Sequence, residues 1–352
     1  MSRLSIACWW FVLAVFVAVS PPVAGHAAER LSFWVKSLLV APAHGPSVVV
    51  AIRNESTESF EGQISLAPPA GWVVDPDRQA ATIAAGGSCE VRFLVKTGVN
   101  LGENAYPMVV TARDARGECV HRQTISVASA PYFKPVIDGK FEDWADSIPV
   151  SWVTAGKKTT VSTYWNRRQF SMLVAVEEDQ LSRPAGDGRP CDAVQIAIAA
   201  GDTQTGVDAL GEATRFEFLV APAAADGPGQ FFRLAEPGTK LSETQTDRPL
   251  KPMSSEESQV VVRRDAGVTY YECSWNWGAM REAISPGEGR EFCCSVLVHD
   301  PDGTGLRDWG LGAGFGASRR NRLAWSRWPG AKWPAQDPFD NKTPWGMCSS
   351  KF

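Results

Sequence analysis

Five tryptophans, Trp309, Trp325, Trp328, Trp333 and Trp345, fall after residue 300, interleaved with Arg319, Arg320, Arg322, Arg327 and Lys332 in a Gly- and Pro-rich stretch. An indole offers a large apolar face with one N–H, and guanidinium groups offer hydrogen-bond donors beside it. A segment rich in Trp and Arg is unusual for plain solvent and reads as a recognition surface. The same residues also suit closing the end of a sandwich core, with the arginines laid over the rings. Trp309 is expected in that packing role; Trp325, Trp328 and Trp333 fit either. Arg320 and Arg322 are the expected polar partners of the surface. The composition of the stretch argues against regular structure.

The carboxylates suggest a second chemistry. Asp300-Pro301-Asp302-Gly303 offers oxygen ligands for calcium from Asp300 and Asp302, as do Asp138 and Asp143 further up the chain. An Asp-Gly hairpin with solvated acids explains the same residues without a metal. Enzyme chemistry has little to stand on. No GxSxG occurs, no cysteine has a plausible histidine partner, and the acids sit at turns without a marked pair for glycoside hydrolysis. Only His44, His121 and His299 follow residue 28, and there is no CxxC, which argues against a zinc cluster. A net charge of −4 with both signs mixed along the chain argues against nucleic acid as partner.

Residues 1–28 read as a signal peptide. Arg3 gives the positive end, Leu4 to Val19 is almost wholly apolar, and Pro21-Pro22 and small residues follow. The apolar run is shorter than the ~20 residues of a membrane span, so a secreted, periplasmic or cell-surface location is expected, with no span left after cleavage. Seven cysteines follow, an odd number, which leaves at least one thiol unpaired within the chain.

Two all-β domains are expected, at 29–129 and 130–352. In the first, Ser47–Asn54, Phe60–Leu66 and Cys89–Val95 alternate as half-buried strands, separated by Gly, Pro and Asn. A Cys89–Cys119 bridge and a pair of buried thiols are both compatible with the strand parity. Pro131 and Pro135 stiffen a short connector. Beyond it Thr160–Trp165, Gln169–Val176, Asp192–Ile198, Tyr270–Trp275 and Glu291–Val298 read as strands, and Lys240–Ser258 as a polar loop. No long helical period appears, which points to two antiparallel β-sandwiches, the second larger. Vicinal Cys293 and Cys294 lie in one strand and therefore face opposite ways.

Family resemblances sharpen this reading. Ile52-Arg53-Asn54-Glu55-Ser56, Pro69-Ala70-Gly71-Trp72-Val73-Val74 and Ile83-Ala84-Ala85-Gly86-Gly87-Ser88 resemble the immunoglobulin-like NEW3 modules found beside α-galactosidase-type glycosidases. Such modules imply a spacer or docking role. Val136-Ile137-Asp138-Gly139-Lys140-Phe141-Glu142-Asp143-Trp144 resembles the opening of family 9 carbohydrate-binding modules. The segments YWNRRQFSMLVAVEED, DAVQIAI, YECSWNW and FCCSVLVHDPDGTGLRDWG are similar to that family's later strands, in order. The resemblance implies a non-catalytic sandwich that binds a polysaccharide or oligosaccharide, often with structural calcium, as an accessory to glycosidases. Gln195 stands where the family strand carries an acid, and is the amide expected to read sugar hydroxyls. Gly188-Arg189-Pro190-Cys191 lacks the family's stacking tryptophan, and Phe216 or Glu217 takes the place of a family arginine, so sugar specificity does not transfer. Two rivals remain: a structural or protein-docking role beside glycosidases or envelope proteins, and non-covalent haem held by His299, Met172 or Met280, as in the related DOMON domains.

Overall fold

A computed structural model describes residues 30–185, 188–201, 214–223, 227–239, 247–250, 252, 258–315, 328–333 and 343–349. The regular structure of the described residues is nearly all strand, arranged in antiparallel sheets, as the alternation implies. Eight strands form the first part: β1 (Leu31–Val35), β2 (Ser47–Asn54), β3 (Phe60–Ala67), β4 (Val73–Asp75), β5 (Arg78–Ile83), β6 (Ser88–Thr97), β7 (Tyr106–Asp114) and β8 (Gly117–Ile125). They make two four-stranded sheets, ordered β1-β2-β6-β4 and β5-β3-β7-β8. Period-two burial puts Val48, Val50 and Ile52 of β2 against Val91, Phe93 and Val95 of β6 and Val110 of β7 in one core. Asn54 ends β2 facing inward; its amide donates to the carbonyls of Glu58 at 2.7 Å and Ile83 at 3.1 Å, which fixes the Asn-Glu-Ser turn. Trp72 closes one end against Tyr106, with ring centroids 5.2 Å apart. Cys89 and Cys119 both stay free thiols and pack at the core's edge.

Twelve strands follow: β9 (Ser129–Ala130), β10 (Val150–Thr154), β11 (Lys157–Trp165), β12 (Gln169–Glu177), β13 (Ala193–Ala200), β14 (Phe216–Pro222), β15 (Gly227–Ala235), β16 (Ser258–Asp265), β17 (Val268–Asn276), β18 (Glu291–Asp300), β19 (Gly305–Asp308) and β20 (Thr343–Met347). Their hydrogen bonds run β10-β11-β12-β17-β16-β15-β14-β13-β18-β20-β9, with β19 beside β18. Between β16 and β15 only Gly227↔Val262 and Pro228↔Val261 pair, and there the path turns. Gly229 permits it: a Cβ there would sit 2.4 Å from Val260 Cγ1. The two halves thus face each other over one core that holds Phe170, Met172, Trp275, Ile196, Ile198, Phe218 and Val296. Strands β13 and β18 are buried on both faces, which is why they read as near-continuous apolar runs rather than alternating ones.

The domain-opening motif has a physical role. Gly139 turns the chain with φ +77°, and its N–H donates to Glu272 Oε2 at 2.7 Å, while Trp144 Nε1 donates to Glu272 Oε1 at 2.8 Å. One buried carboxylate on β17 therefore pins both halves of the motif. The region after residue 300 is more regular than its composition suggests. It contains β19, a short helix at Trp309–Gly312, and β20, in which Trp345 is fully buried against Trp309. Through β20 the chain returns to its middle: β9 pairs with it in parallel, and Cys348 reaches the first core. Of the expected polar loop at 240–258, residues 247–250 and 252 are described and lie outside the strands, Ser258 opens β16, and the rest lies outside the described residues.

Candidate functional site

Alternation along β13 divides its side chains. Val194, Ile196 and Ile198 enter the inter-sheet core, so Ala193, Gln195, Ala197 and Ala199 line the opposite face. On the same outer face β14 presents Glu217 and Leu219, and β18 presents Cys293, Ser295, Leu297 and His299. Cys294 points the other way into the core, so the vicinal thiols do face opposite sides.

Gln195 lies at the centre of this face, flanked in register by Leu219 and Leu297. Its Nε2 donates to Glu217 Oε1, and its Oε1 meets His299 Nε2 at 2.9 Å. Because the amide nitrogen is committed to a carboxylate, its oxygen must accept, so His299 carries its proton on Nε2. His299 Nδ1 is then a bare acceptor, buried and without a partner. Burial holds the imidazole down to about 3, so it stays neutral. Trp328 and Trp333 stand edge-on to this ring, with centroids 5.2 and 5.6 Å away and interplanar angles of 77° and 76°. Trp328 is buried with Cys191, Leu219 and Leu234, whereas Trp333 is half-buried over Leu297 and Leu306. Both indole N–H groups are buried without a hydrogen-bond partner. Arg215, fully buried just before β14, donates Nη2 to Thr239 O at 3.0 Å.

Of the expected sugar-site residues, the structure brings Gln195, Trp328 and Trp333 together around His299. Trp325, Arg320 and Arg322 lie outside the described residues. Sequence reasoning missed Glu217 as a partner and considered His299 only as a haem ligand. Among the described residues, the three side chains considered for haem do not converge. His299 is on the outer face, whereas Met172 and Met280 lie in the core between the sheets.

A second cluster forms where three strands end. Glu178 follows β12, Asp192 precedes β13 and Asp300 ends β18, so both halves of the sandwich contribute. One carboxylate oxygen of each lies within 4.8 Å of the others, and all three residues are at most 3% exposed. Each uses one oxygen within the fold. Glu178 Oε1 accepts from Thr269 Oγ1 and from Arg264 Nη1 at 3.2 Å; Asp192 Oδ2 accepts from Ser182 N; and Asp300 Oδ2 accepts from Thr304 N at 2.9 Å and Arg307 Nη2 at 2.6 Å. The remaining oxygens, Glu178 Oε2, Asp192 Oδ1 and Asp300 Oδ1, are buried without partners. Burial raises Glu178 to about 7, and burial with the Glu178 charge raises Asp192 to about 8. Burial acts upward on Asp300 too, but hydrogen bonds from Thr304 and Arg307 outweigh it and hold that carboxyl low. These oxygens suit a hard cation such as calcium. Asp302, expected beside Asp300, instead accepts from Ser182 Oγ at 2.7 Å. Among the described residues, Asp138 and Asp143 serve their own turn: Asp138 accepts from Lys140 N and Asp143 from Val136 N.

No protein-family model matches the chain, and neither does any curated protein. Solved structures do. The chain is similar to a family 9 carbohydrate-binding module from Caldicellulosiruptor kristjanssonii in complex with cellotriose, with 12% identity and a TM-score of 0.39, over 63% of this chain and 93% of that one. The same module with glucose gives 13% identity and a TM-score of 0.36, over 63% and 95%. The E. coli chaperone DraB matches at 12% identity and a TM-score of 0.22, over 64% and 95%.

Proposed function

We propose that this chain is an exported, non-catalytic carbohydrate-binding protein that works beside enzymes of polysaccharide breakdown. The observation that carries the reading is the outer face of β13, β14 and β18. There Glu217, Gln195 and His299 form one hydrogen-bonded line, with Trp333 edge-on and half-open to solvent. An indole face complements ring C–H groups, and Trp333, half-buried over the buried His299 ring, is the aromatic of this face left partly open to a sugar. Arg320, Arg322 and Trp325 are proposed to complete the surface. Against catalysis, the group of three carboxylates among the described residues is too tight and too buried. Its oxygens lie within 4.8 Å of one another, whereas glycosidase pairs stand roughly 5–9.5 Å apart across an open cleft. Export is supported by Arg3 and the apolar run Leu4–Val19, and no described helix is long and apolar enough to cross a membrane. The first sandwich is proposed as the spacer that holds the binding face clear of its anchoring or partner surface.

The test is affinity electrophoresis and calorimetry of the residue 29–352 chain against soluble glucans, xylans and galactans, with glucose and cello-oligosaccharides as small probes. Retardation by one polysaccharide class, lost in Trp333→Ala with melting unchanged, is the expected result. Absence of binding to every glycan tested would remove the reading and leave the docking alternative, which the full burial of Trp328 favours in part.

A further inference from the structure

Where the two sandwiches meet, the second presents an exposed cluster that the sugar face does not use. The connector runs into it beside β11: Tyr132 bridges to Trp165 in parallel, Phe133 N donates to Trp165 O and Trp165 N donates to Pro131 O, each at 3.0 Å. Alternation sends Phe133 to the Tyr164 side and puts Tyr132 and Lys134 on the Trp165 side. Parallel pairing carries Lys134 past the end of β11, toward the turn Asn166-Arg167-Arg168 that leads into β12. Asn166 Oδ1 fixes that turn by accepting from Arg168 N at 2.8 Å and Gln169 N at 3.2 Å. The short helix Met280–Ile284 packs Met280 and Ile284 into the core that holds Trp165, and its Arg281 Nη2 donates to Arg167 O. The place is the junction of the sandwiches, since Trp165 Nε1 donates to Cys348 O at 2.9 Å and Cys348 belongs to the first core.

Two features of the cluster point to a ligand. The first is charge. Lys134, Arg167, Arg168 and Arg281 are exposed, and among the described residues none of them pairs with a carboxylate, whereas Arg116, Arg264 and Arg307 do. The fold nevertheless holds Arg281 against the backbone of Arg167, so three arginines gather in a chain whose net charge is −4. Like charges held together repel, and an anion relieves the repulsion. Glu282 follows Arg281 by one residue and so points elsewhere on the helix. The second feature is an exposed ring. Tyr132 is 44% exposed, yet its ring is fixed edge-on to buried Trp165, with centroids 5.0 Å apart. Guanidinium forks match carboxylates, and a fixed phenol ring offers an apolar face and a hydroxyl beside them. Insertion into a bilayer would instead need apolar side chains at the tip of the turn, where Arg167 and Arg168 stand. We propose that this surface binds an acidic polysaccharide, its uronate carboxylates held by Arg167, Arg168, Arg281 and Lys134 and a sugar ring laid on Tyr132. It is a second site, apart from Trp333 and the outer face of β13, β14 and β18; its polymer class rests on the carbohydrate reading, its residues do not.

The test is calorimetric titration of the residue 29–352 chain with polygalacturonate, in EDTA so that no divalent ion cross-links the polymer. The parent is expected to bind, and to lose about 10-fold in affinity when NaCl rises from roughly 50 to 500 mM. Arg167→Gln combined with Arg168→Gln is expected to weaken binding about 10-fold, and Tyr132→Ala about 3-fold, with melting within about 2 °C of the parent because all three side chains are exposed. Trp333→Ala is expected to bind as the parent does. No binding of polygalacturonate overturns the proposal, as does undiminished binding by the double variant or by Tyr132→Ala. Polyglutamate or phosphatidylglycerol vesicles bound as tightly as polygalacturonate also overturn it, because charge alone would then suffice. The two readings fail separately. Neutral glycans bound through Trp333 without polygalacturonate sink this proposal alone, and polygalacturonate bound through Arg167 and Arg168 without any neutral glycan sinks the Trp333 face alone.

Discussion

Removing divalent cations and then raising the pH from 6.5 to 8 is expected to destabilise the protein. Glu178 and Asp192 sit near 7 and 8 in the folded chain, against ordinary values of 4.5 and 3.8. Unfolded, both are ionised throughout that window; folded, both still hold protons at its lower end. The native state therefore binds more protons than the unfolded one, and stability falls as pH rises. At about 1.4 kcal/mol per proton per pH unit, the two titrations together cost about 2 kcal/mol across the window. In a domain of this size that corresponds to a fall of roughly 5 °C in melting temperature. His299 does not confuse the slope. Held near 3 by burial, it stays neutral when folded and becomes a liability only below pH 6.5, where the unfolded imidazole gains a proton that the native one refuses. Differential scanning calorimetry at fixed ionic strength, in EDTA and in calcium, is the assay. Calcium is expected to flatten the slope by supplying the positive charge that protons otherwise supply. Asp192→Asn should flatten it in EDTA as well. An EDTA-treated parent whose melting temperature holds or rises from pH 6.5 to 8 would refute the reasoning, as would an unchanged slope in the variant.

Other perturbations follow from single contacts. Glu272→Ala strands two buried donors, Gly139 N and Trp144 Nε1, and is expected to cost about 2–5 kcal/mol by urea denaturation. Arg307→Met leaves Asp300 as an uncompensated buried charge and empties bonds to Thr159 Oγ1 and Glu177 O; a loss of about 3–5 kcal/mol is expected in calcium-free buffer. Gly346→Ala would place a Cβ 1.9 Å from Leu39 O and is expected to destabilise the chain by about 1–3 kcal/mol, read by thermal melting.

The first sandwich was legible in the sequence because each of its sheets has one face in the core and one toward solvent, so β2, β3 and β6 alternate cleanly. Strands β13 and β18, covered on both faces, still read as central strands from their apolar runs. Strands β10, β15 and β16 were not read, and β14 was placed only through the resemblance, at Phe216 or Glu217. Part of the reason is that β15 carries Gly227 and Gly229, which break a strand pattern. In the candidate site, Gln195 was visible as the one amide in an apolar strand, and Trp328 and Trp333 as aromatics in a Trp/Arg-rich tail. Their meeting at His299 depends on which strands are neighbours, and alternation does not reveal that. Glu178 and Asp192 each look like an ordinary acid at a strand end. Pairing of β13 with β18 sets Asp192 beside Asp300, and the folding of the sheet path at β15 and β16 brings Glu178 to both; the local trace of that turn is slight: Gly229, a glycine inside a strand.

The measurement that bears most directly on carbohydrate binding is calorimetric titration of the parent, Trp333→Ala and Gln195→Ala with the polysaccharide class that retards the parent, in saturating calcium. Binding by the parent, weakened at least 10-fold in Trp333→Ala while melting stays within about 2 °C, is the expected result, since loss of one stacking contact removes about 1–3 kcal/mol; Gln195→Ala strands the buried Glu217 and His299 and is expected to lose binding and stability together. Undiminished binding in both variants would place the sugar elsewhere on the molecule and contradict the assignment of this face.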